Sequence, residues 1–397
     1  MKSSDGDKKS FGGVSEHDFT TRTGLANLDY LNGQIILLDD GTKQLYTGVS
    51  NGRIVQVVGK SGSGKSTLAA QIATNIIRRY ENGLMYYYDF EKGTDKNRIR
   101  MVSGLNEEEF NEKVTILKTD ISTEKVLRML YKIKEFKLQH EKELLVDNEN
   151  GIKDAEGNIV KVLVPTVVVI DSLSAMMPEG NYDEGNIEGQ MSQTQNAKIN
   201  AQFFRKAAQV CDAANIILVV INHITENLSV GVTPPSAQIN FLKQNESLPG
   251  GSVAKFMTDT LIKITTSTKL EPDKTWGIKG FEAKVEICKS RHAPAGRAVN
   301  MIYDQTNGFR NDLSMLDYIK ACGLLKGNGM AYYIEGHPEF KFRLATYKNM
   351  FDTNDNFRNI IEATAKACLQ ASIKESDNIK IQEDAAAEEE AIANDSE

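Results

Sequence analysis

The sequence predicts an α/β protein whose core is a mostly parallel β-sheet. Between residues 53 and 304, apolar β-rich runs alternate with helical stretches, a pattern typical of βαβ units. The first run leads directly into a glycine-rich turn and then a helix, as a strand of such a sheet does. Shorter mixed segments flank this region and predict a short N-terminal element and a small α/β C-terminal domain.

Length and composition agree with a globular protein of more than one domain. The chain has 397 residues, of which 40% are hydrophobic and 25% are charged. No stretch approaches the roughly 18 apolar residues that a membrane span needs, and the amino terminus lacks the apolar core of a secretory signal. We therefore expect a cytoplasmic protein.

The net charge of −7 is concentrated at the carboxyl end. Residues 383–397 contain seven acidic residues and no Lys or Arg, so the rest of the chain is formally neutral. Such a tail is typically solvated, but it can also compete with a polyanion for a basic surface elsewhere in the molecule.

The four cysteines do not suggest a metal site or a disulfide framework. Cys211, Cys288, Cys322 and Cys368 are far apart in sequence and form no C-x-x-C pair. We expect them to be small hydrophobic residues of the core.

Each element follows from a local pattern. Four apolar runs predict strands buried on both faces, at residues 53–59, 84–90, 166–171 and 215–223, and helical patterns predict helices at 66–80, 123–142 and 194–214. Two further strands are expected at 260–266 and 281–289, a short strand or helix at 35–38, and an inserted hairpin at 143–165. These elements divide the chain into an N-terminal segment (1–50), a core (51–309), a C-terminal domain (310–375) and an acidic tail (376–397).

The glycine-rich turn fits the phosphate-binding pattern G-x-x-x-x-G-K-[ST]. Its position between a predicted strand and a predicted helix is the context that this motif requires, because backbone N–H groups and the helix amino terminus then face the phosphates. Lys65 would bridge the β- and γ-phosphates and Ser66 would bind Mg²⁺, so the sequence predicts ATP and Mg²⁺ as ligands. The predicted nucleotide-binding residues are Gly59, Lys60, Ser61, Gly62, Ser63, Gly64, Lys65, Ser66, Thr67 and Asp171.

Polar residues at the ends of the other strands are expected to lie near this turn, since the carboxyl ends of parallel strands meet at one edge. Asp171 is placed to hold Mg²⁺, and Asp89 or Glu91 could orient the water that attacks the γ-phosphate. Asn222 and His223 could detect the γ-phosphate. Taken singly, an acid that caps a strand is common, and an isolated histidine is more often structural than functional.

Several motifs together make the chain similar to the RecA-type strand-exchange recombinases, and most closely to the UvsX branch of T4-like bacteriophages. The resemblance covers residues 52–366 and rests on GKSGSGKS (59–66), YDFEKG (88–93), VVVIDSLSAM (167–176), MSQ (191–193), VVINH (219–223), GGSVAKF (250–256) and ICKSRHAP (287–294). It implies a RecA-like P-loop ATPase core and a DNA-dependent ATPase that forms helical filaments on single-stranded DNA for homologous pairing and strand exchange in DNA recombination and repair.

The resemblance also implies roles for individual residues. Glu91 is similar to the catalytic glutamate that activates water, and His223 occupies the place of the residue that senses the γ-phosphate. Lys289 and Arg291 resemble a basic pair that reaches the ATP of the adjacent protomer, where it would act like an arginine finger. Without the resemblance, these two would be interpreted as solvated charges at a strand end.

Two long polar segments, residues 177–195 and 225–252, are similar to the DNA-facing loops of this family. They depart from a usual DNA-binding surface, because the first contains four acids and no base and the second contains only Lys243 as a base. Since phosphate neutralisation dominates non-specific DNA binding, positive charge would have to come from Lys198, Arg205, Lys206 and Lys255. The alternative is that both segments are ordinary surface loops.

The expected partners are single-stranded DNA, homologous duplex DNA and further copies of the chain, which would make contact through residues 21–50. A recombination loader and a single-strand-binding protein are further possible partners. Two other functions stay open: a hexameric helicase or motor ATPase on the same core, and a nucleotide-dependent scaffold without catalysis. Glu91 argues against the scaffold, and the assembly geometry separates the first two.

Overall fold

The computed structural model describes residues 10–11, 14–15, 19–37, 43–154, 156–179, 189–226, 246–249, 251–273 and 276–373. Lys243, most of residues 1–18, the middle of both expected DNA-facing loops and the acidic tail lie outside these residues. None of the helices in the described part of the chain is long and apolar enough to cross a membrane.

A nine-stranded, mostly parallel sheet forms the centre of the described structure and confirms the predicted fold class. We number its strands in chain order as β1 (Ile54–Gly59), β2 (Leu84–Asp89), β3 (Val114–Leu117), β4 (Thr166–Asp171), β5 (Ile216–His223), β6 (Thr260–Leu270), β7 (Gly280–Lys289), β8 (Ala298–Asp304) and β9 (Gly308–Arg310). Their order across the sheet is β9-β8-β7-β6-β1-β5-β4-β2-β3. The strands from β6 to β3 run parallel, and β7, β8 and β9 are added antiparallel at one side.

Helices cover both faces of this sheet. The helices of the described part of the chain are α1 (Ala26–Leu31), α2 (Lys65–Ile77), α3 (Lys96–Ser103), α4 (Glu107–Lys113), α5 (Thr123–Gln139), α6 (Glu141–Leu144), α7 (Gly189–Ala214), α8 (Gly251–Met257), α9 (Asn311–Ala321), α10 (Leu344–Thr353) and α11 (355–373). Alternate residues of one strand enter different cores: Val167 and Val169 pack with α2, whereas Val168 and Ile170 pack with α5 and α7. Burial on both faces explains why the central strands are continuous apolar runs.

The start of the chain packs against the predicted insertion. Two short pairs of strands, Thr20–Thr21 with Val49–Ser50 and Gln34–Leu37 with Lys43–Tyr46, surround α1, and Ser10–Phe11 pairs with Val14–Ser15. The insertion is an antiparallel hairpin, as predicted, with strands Leu145–Asp147 and Lys161–Leu163.

A buried carboxylate joins these two regions. Glu149, in the hairpin, accepts hydrogen bonds from Arg22, Arg79 and the Tyr80 hydroxyl. Burial would raise the pKa of Glu149, but the Arg79 charge and the hydrogen bonds outweigh it and lower that pKa. The insertion therefore fixes the N-terminal segment to the end of α2.

The C-terminal part has an apolar cluster of its own. Helices α9, α10 and α11 pack around the antiparallel strands Leu325–Asn328, Ala331–Ile334 and His337–Phe342, together with Trp276 from the β6–β7 connection. The side chain of Gln71 in α2 accepts a hydrogen bond from Phe309 N (2.7 Å) and donates one to Phe309 O (3.1 Å). The P-loop helix is thus bonded to the strand that leads into this part.

Several predicted boundaries need correction. The helix expected at 194–214 begins at Gly189, because residues 189–195 contain no further Gly and no Pro, so the end of the first polar segment is helical. The second segment ends in α8, which begins at Gly251 and not after Ser252. The helix expected at 123–142 ends at Gln139, and the short α6 follows.

The prediction of four core cysteines is confirmed only for Cys211, which is buried in α7. Cys322 is exposed because it follows the last turn of α9, and Cys288 and Cys368 are partly buried. Cys322 and Cys368 are hydrogen-bonded to each other between α9 and α11.

Candidate nucleotide-binding and catalytic site

The phosphate-binding turn has the backbone that its glycines permit. Gly62 and Gly64 adopt φ values of +74° and +88°, a left-handed conformation that other residues rarely take. A Cβ atom on Gly59 would lie 2.6 Å from the backbone oxygen of Ile264 in β6, so this strand end also requires glycine. Helix α2 begins at Lys65, and its amino terminus faces the concave side of the turn.

Lys65 is held inside this turn. Its ammonium group donates a hydrogen bond to the backbone oxygen of Lys60 at 2.7 Å, and the residue is buried. Burial lowers the pKa of Lys65, while the carboxylates of Asp171 and Glu91 partly oppose this. A polyphosphate next to Lys65 would supply the negative charge that this buried cation lacks.

Asp171 and Ser66 provide the oxygen atoms for a magnesium site. The Asp171 carboxylate, at the end of β4, accepts hydrogen bonds from the Tyr87 hydroxyl (2.6 Å) and from Ser66. Burial raises the pKa of Asp171, and these two hydrogen bonds only partly offset it. A buried carboxylate and a hydroxyl fit Mg²⁺, which binds few protein oxygens and takes its other ligands from phosphate and water.

Asp89 adds a second buried carboxylate beside Asp171, since the two residues are in register between β2 and β4. One oxygen of Asp89 accepts a hydrogen bond from Thr94 N at 2.8 Å and lies 3.6 Å from the Lys118 ammonium. The other oxygen is buried and has no hydrogen-bond partner among the described residues. This unpartnered oxygen could accept a hydrogen bond from a water molecule bound to the expected metal ion.

Glu91 and His223 meet at the carboxyl edge of the sheet, although they are 132 positions apart in sequence. One oxygen of Glu91 lies 2.8 Å from His223 Nε2 and also accepts a hydrogen bond from the Ser172 hydroxyl. Burial would raise the pKa of Glu91, but the bonds from Ser172 and His223 and the charge of Lys65 lower it. The carboxylate is therefore ionised at neutral pH and can accept a proton or orient water.

A cavity of about 290 Å³ lies beside these groups. It is lined by Ser66, Thr67, Asp89, Glu91, Arg98 and Asp171, among others. Sequence reasoning missed Tyr87, Ser172 and Arg98. The register of β2 and β4 brings Tyr87 to Asp171, whereas Ser172 could have been found as the residue after a metal-binding aspartate.

Asn222 connects the end of β5 to the second polar segment. Its side chain donates a hydrogen bond to Pro249 O at 2.7 Å and accepts one from His223 N at 2.9 Å. His223, which contacts Glu91, is thus connected through Asn222 to Pro249, just before α8.

Lys289 and Arg291 lie away from the phosphate turn of their own chain. In the sheet, Lys289 is paired with Leu261, which is paired with Gln56 near the start of β1, whereas the turn begins at Gly59. Lys289 donates to the backbone oxygens of Lys255 (2.8 Å) and Phe256 (2.9 Å), and Arg291 donates to that of Phe256 (2.9 Å). These cations are therefore at the amino edge of the parallel strands.

The other basic residues expected to contact DNA differ in their exposure to solvent. Lys198, Arg205 and Lys206 are exposed on α7, and Lys255 is half-buried on α8. Of the four acids in the first polar segment, Glu179 is described, and it pairs with Arg128 at 3.0 Å.

The strand–turn–helix with its buried Lys65, the Asp171–Ser66 pair and the Glu91–His223 pair define the class of P-loop ATPases. Two family models match: "RecA N-terminal domain" over residues 112–309 and "KaiC", an ATPase model, over residues 21–201. The chain is therefore similar to the RecA family over residues 112–309 and to a KaiC-type ATPase over residues 21–201.

Curated relatives show the same similarity. The chain is 25% identical to Protein RecA of Wolbachia sp. subsp. Brugia malayi over 326 residues, which are 81% of this chain and 77% of that protein. It is 24% identical to Protein RecA of Syntrophus aciditrophicus (73% and 70%) and 25% identical to that of Anaplasma marginale strain Florida (85% and 80%). The expected closeness to the UvsX branch stays a prediction.

Proposed function

We propose that this protein is an ATP-dependent DNA recombinase that polymerises on single-stranded DNA and pairs it with a homologous duplex. One observation carries the proposal: the two cations expected at the γ-phosphate lie at the opposite edge of the sheet from the P-loop of the same chain. They can complete a site only on a neighbouring subunit. A head-to-tail contact of this kind produces a helical filament or a closed ring.

The proposed reaction is hydrolysis of ATP to ADP and phosphate. The turn from Gly59 to Ser66 holds the phosphates, and Glu91 orients the attacking water and accepts its proton. Mg²⁺, held by Ser66 and Asp171, would neutralise charge on the phosphate oxygens. Lys65 from one subunit and Lys289 and Arg291 from the next would stabilise the charge on the transferred phosphoryl group.

Coupling to DNA is proposed to run through β5. His223 contacts the proposed water-activating carboxylate, and Asn222 contacts Pro249 at the end of the second polar segment. A change at the γ-phosphate would therefore reach a segment expected to face DNA. Exposed bases on α7 would supply part of the phosphate contacts.

The named relatives are RecA proteins, and this similarity supports recombination over other ATP-driven functions. We further propose that the chain belongs to the UvsX branch, on the motifs given above, and that a loader and a single-strand-binding protein assist it. A hexameric helicase or motor remains the alternative, because a shared site is equally compatible with a ring.

Electron microscopy of the full chain with single-stranded DNA and a non-hydrolysable ATP analogue tests the assembly. Open helical filaments are expected, whereas closed six-membered rings would establish the alternative. Exchange of a labelled strand between a homologous duplex and the filament should then occur, and a heterologous duplex should give none. Lys65→Ala is the control that by itself should neither hydrolyse ATP nor exchange strands.

A further inference from the structure

We propose that His292 is a positioning residue that fixes the backbone of Lys289–Arg291 against the N-terminal segment. The inference rests on the proposed function, in which these cations act on a neighbouring subunit's ATP. It concerns His292, which follows the cation pair and is not part of the phosphate turn.

Both nitrogens of the His292 ring have partners on other segments. Nδ1 lies 2.8 Å from the Ser50 hydroxyl and 3.7 Å from an Asp259 oxygen. Nε2 lies 3.1 Å from the backbone oxygen of Asn32 and 3.1 Å from its side-chain nitrogen. One imidazole thus joins the end of α1, the strand Val49–Ser50 and the start of β6.

Asp259 is the charged centre of this cluster. Its carboxylate also accepts hydrogen bonds from Ser50 (3.1 Å) and Thr260 (3.0 Å) and is buried. Burial would raise the pKa of Asp259, but the hydrogen bond and charge of His292 and the two hydroxyls lower it. Losing one of these partners destabilises the folded protein far more when the carboxylate is buried than when it is exposed to solvent.

The cluster is not a nucleophilic triad. In such a triad the hydroxyl and the carboxylate contact different nitrogens of the histidine ring, so that the ring can pass a proton between them. Here Ser50 and Asp259 both approach Nδ1, and Nε2 faces Asn32. The arrangement holds the ring in place and provides no route for a proton.

Part of the local shape of the turn that carries the cations does not depend on the ring. Ser290 Oγ accepts hydrogen bonds from the backbone N–H groups of His292 (3.4 Å) and Ala293 (3.1 Å), and it also lies 3.4 Å from Nδ1 of the imidazole. Removing the ring therefore changes where the turn lies relative to the N-terminal segment more than how it is folded.

The cationic groups of the two residues are bound at the end of α8. Lys289 and Arg291 donate to carbonyls at the end of α8, and these bonds must break if the groups are to reach a phosphate. Once they break, the contacts of His292 with Asn32, Ser50 and Asp259 still hold the backbone. Small misplacements of a catalytic group can cost up to about 100-fold in rate, so this anchor would determine how well the cations meet the neighbouring site.

The test combines two impaired variants in each assay and measures their ATP hydrolysis on single-stranded DNA. A working interface needs an intact P-loop on one subunit and a well-placed cation turn on the next. An equimolar mixture of Lys65→Ala and Arg291→Ala should recover activity at about a quarter of its head-to-tail interfaces. Because His292→Ala should be impaired on the cation side only, its rate should rise when it is mixed with Lys65→Ala and should not rise when it is mixed with Arg291→Ala.

Further variants separate positioning from loss of folding. We expect His292→Ala to reduce kcat by roughly 10- to 100-fold with little change in nucleotide binding, and His292→Gln to restore part of it. Ser50→Ala, which removes one partner of the ring, should act in the same direction but more weakly. His337→Ala, an exposed histidine of the C-terminal part, is the matched control and should keep full activity.

Each result decides between the two proposals. Recovery of His292→Ala with Arg291→Ala, or normal turnover by His292→Ala alone, would overturn the role of His292 and leave the shared site intact. Failure of Lys65→Ala and Arg291→Ala to recover together would overturn the shared site itself, and the inference on His292 would fall with it.

Discussion

The two edges of the central sheet are built differently. At the carboxyl edge, polar side chains face one another around a cavity: Glu91 contacts His223, and Asp171 contacts Tyr87. At the amino edge, cations are bound to backbone carbonyls instead. Lys289 donates to Lys255 and Phe256, and Lys137 donates to Ala214 and Asn215 just before β5.

This difference separates side chains that can bind a ligand from side chains that cap the structure. Side chains that face a cavity can exchange their partners for a ligand, whereas a cation on a carbonyl neutralises the end of a helix. Lys137 is buried and belongs to the second kind, while Lys289 is partly exposed and can leave its carbonyls. Four changes, from the largest expected effect to the smallest, test the roles of these side chains and of the acidic tail.

Glu91→Gln should remove most of the chemistry at the carboxyl edge. The amide keeps the shape of the side chain but cannot accept a proton, so we expect kcat to fall by about 100- to 1,000-fold with ATP still bound. Single-turnover hydrolysis and binding of a fluorescent ATP analogue measure the two quantities. Glu108→Gln, on the exposed side of α4, is the control. Wild-type turnover by Glu91→Gln would exclude Glu91 from catalysis.

Lys137→Met should change the pH dependence of stability. Burial lowers the pKa of Lys137 to about 7 in the folded protein, from 10.5 in the unfolded chain. Between these values the unfolded chain binds more protons, so the wild-type free energy of unfolding rises with pH, while below pH 7 both states are charged and the burial penalty is complete.

The Met variant lacks this ionisation, so its stability relative to wild type should decline by about 2 to 3 kcal/mol between pH 7 and pH 9. Urea unfolding at the two pH values measures the change. Lys132→Met, exposed on α5, should show no such shift. A constant difference between Lys137→Met and wild type would mean that Lys137 stays charged when buried.

Asn222→Ala should weaken the connection between the carboxyl edge and the second polar segment. It removes the hydrogen bonds to Pro249 and His223 N, so we expect stimulation of ATP hydrolysis by single-stranded DNA to fall by about 10-fold, the equivalent of one or two buried hydrogen bonds. Hydrolysis without DNA should change much less. Equal losses with and without DNA would show a general effect on the site.

Deletion of residues 383–397 should have the smallest effect. The tail carries seven acids, and if it competes with DNA for basic groups, its removal raises DNA affinity by a few-fold at low salt and has little effect at high salt. Fluorescence anisotropy at two salt concentrations measures this. A tail with its acids replaced by Asn and Gln should behave like the deletion. Unchanged DNA affinity would show that the tail does not compete with DNA.

Sequence reasoning reached the central sheet because its signals are local. The apolar runs, the glycines of the phosphate turn and the polar residue at the end of each strand can all be recognised within about ten positions. It also brought Glu91 and His223 to one edge. The contact between Tyr87 and Asp171 was out of reach, since it depends on the register of β2 against β4.

Long-range polar contacts were equally out of reach. Glu149 joins Arg22 across 127 positions and His292 joins Asn32 across 260, and neither pair has a sequence pattern of its own. The exposure of Cys322 depends on where α9 ends. Such features require the packed structure, because composition and periodicity give no information about which distant surfaces meet.

The double hydrogen bond between Gln71 and Phe309 has a mechanical consequence. The helix that cradles the phosphates and the last strand of the sheet cannot slide past each other without breaking both bonds. Since α9 follows that strand directly, a tilt of α2 on nucleotide exchange would be transmitted to the C-terminal part of the chain.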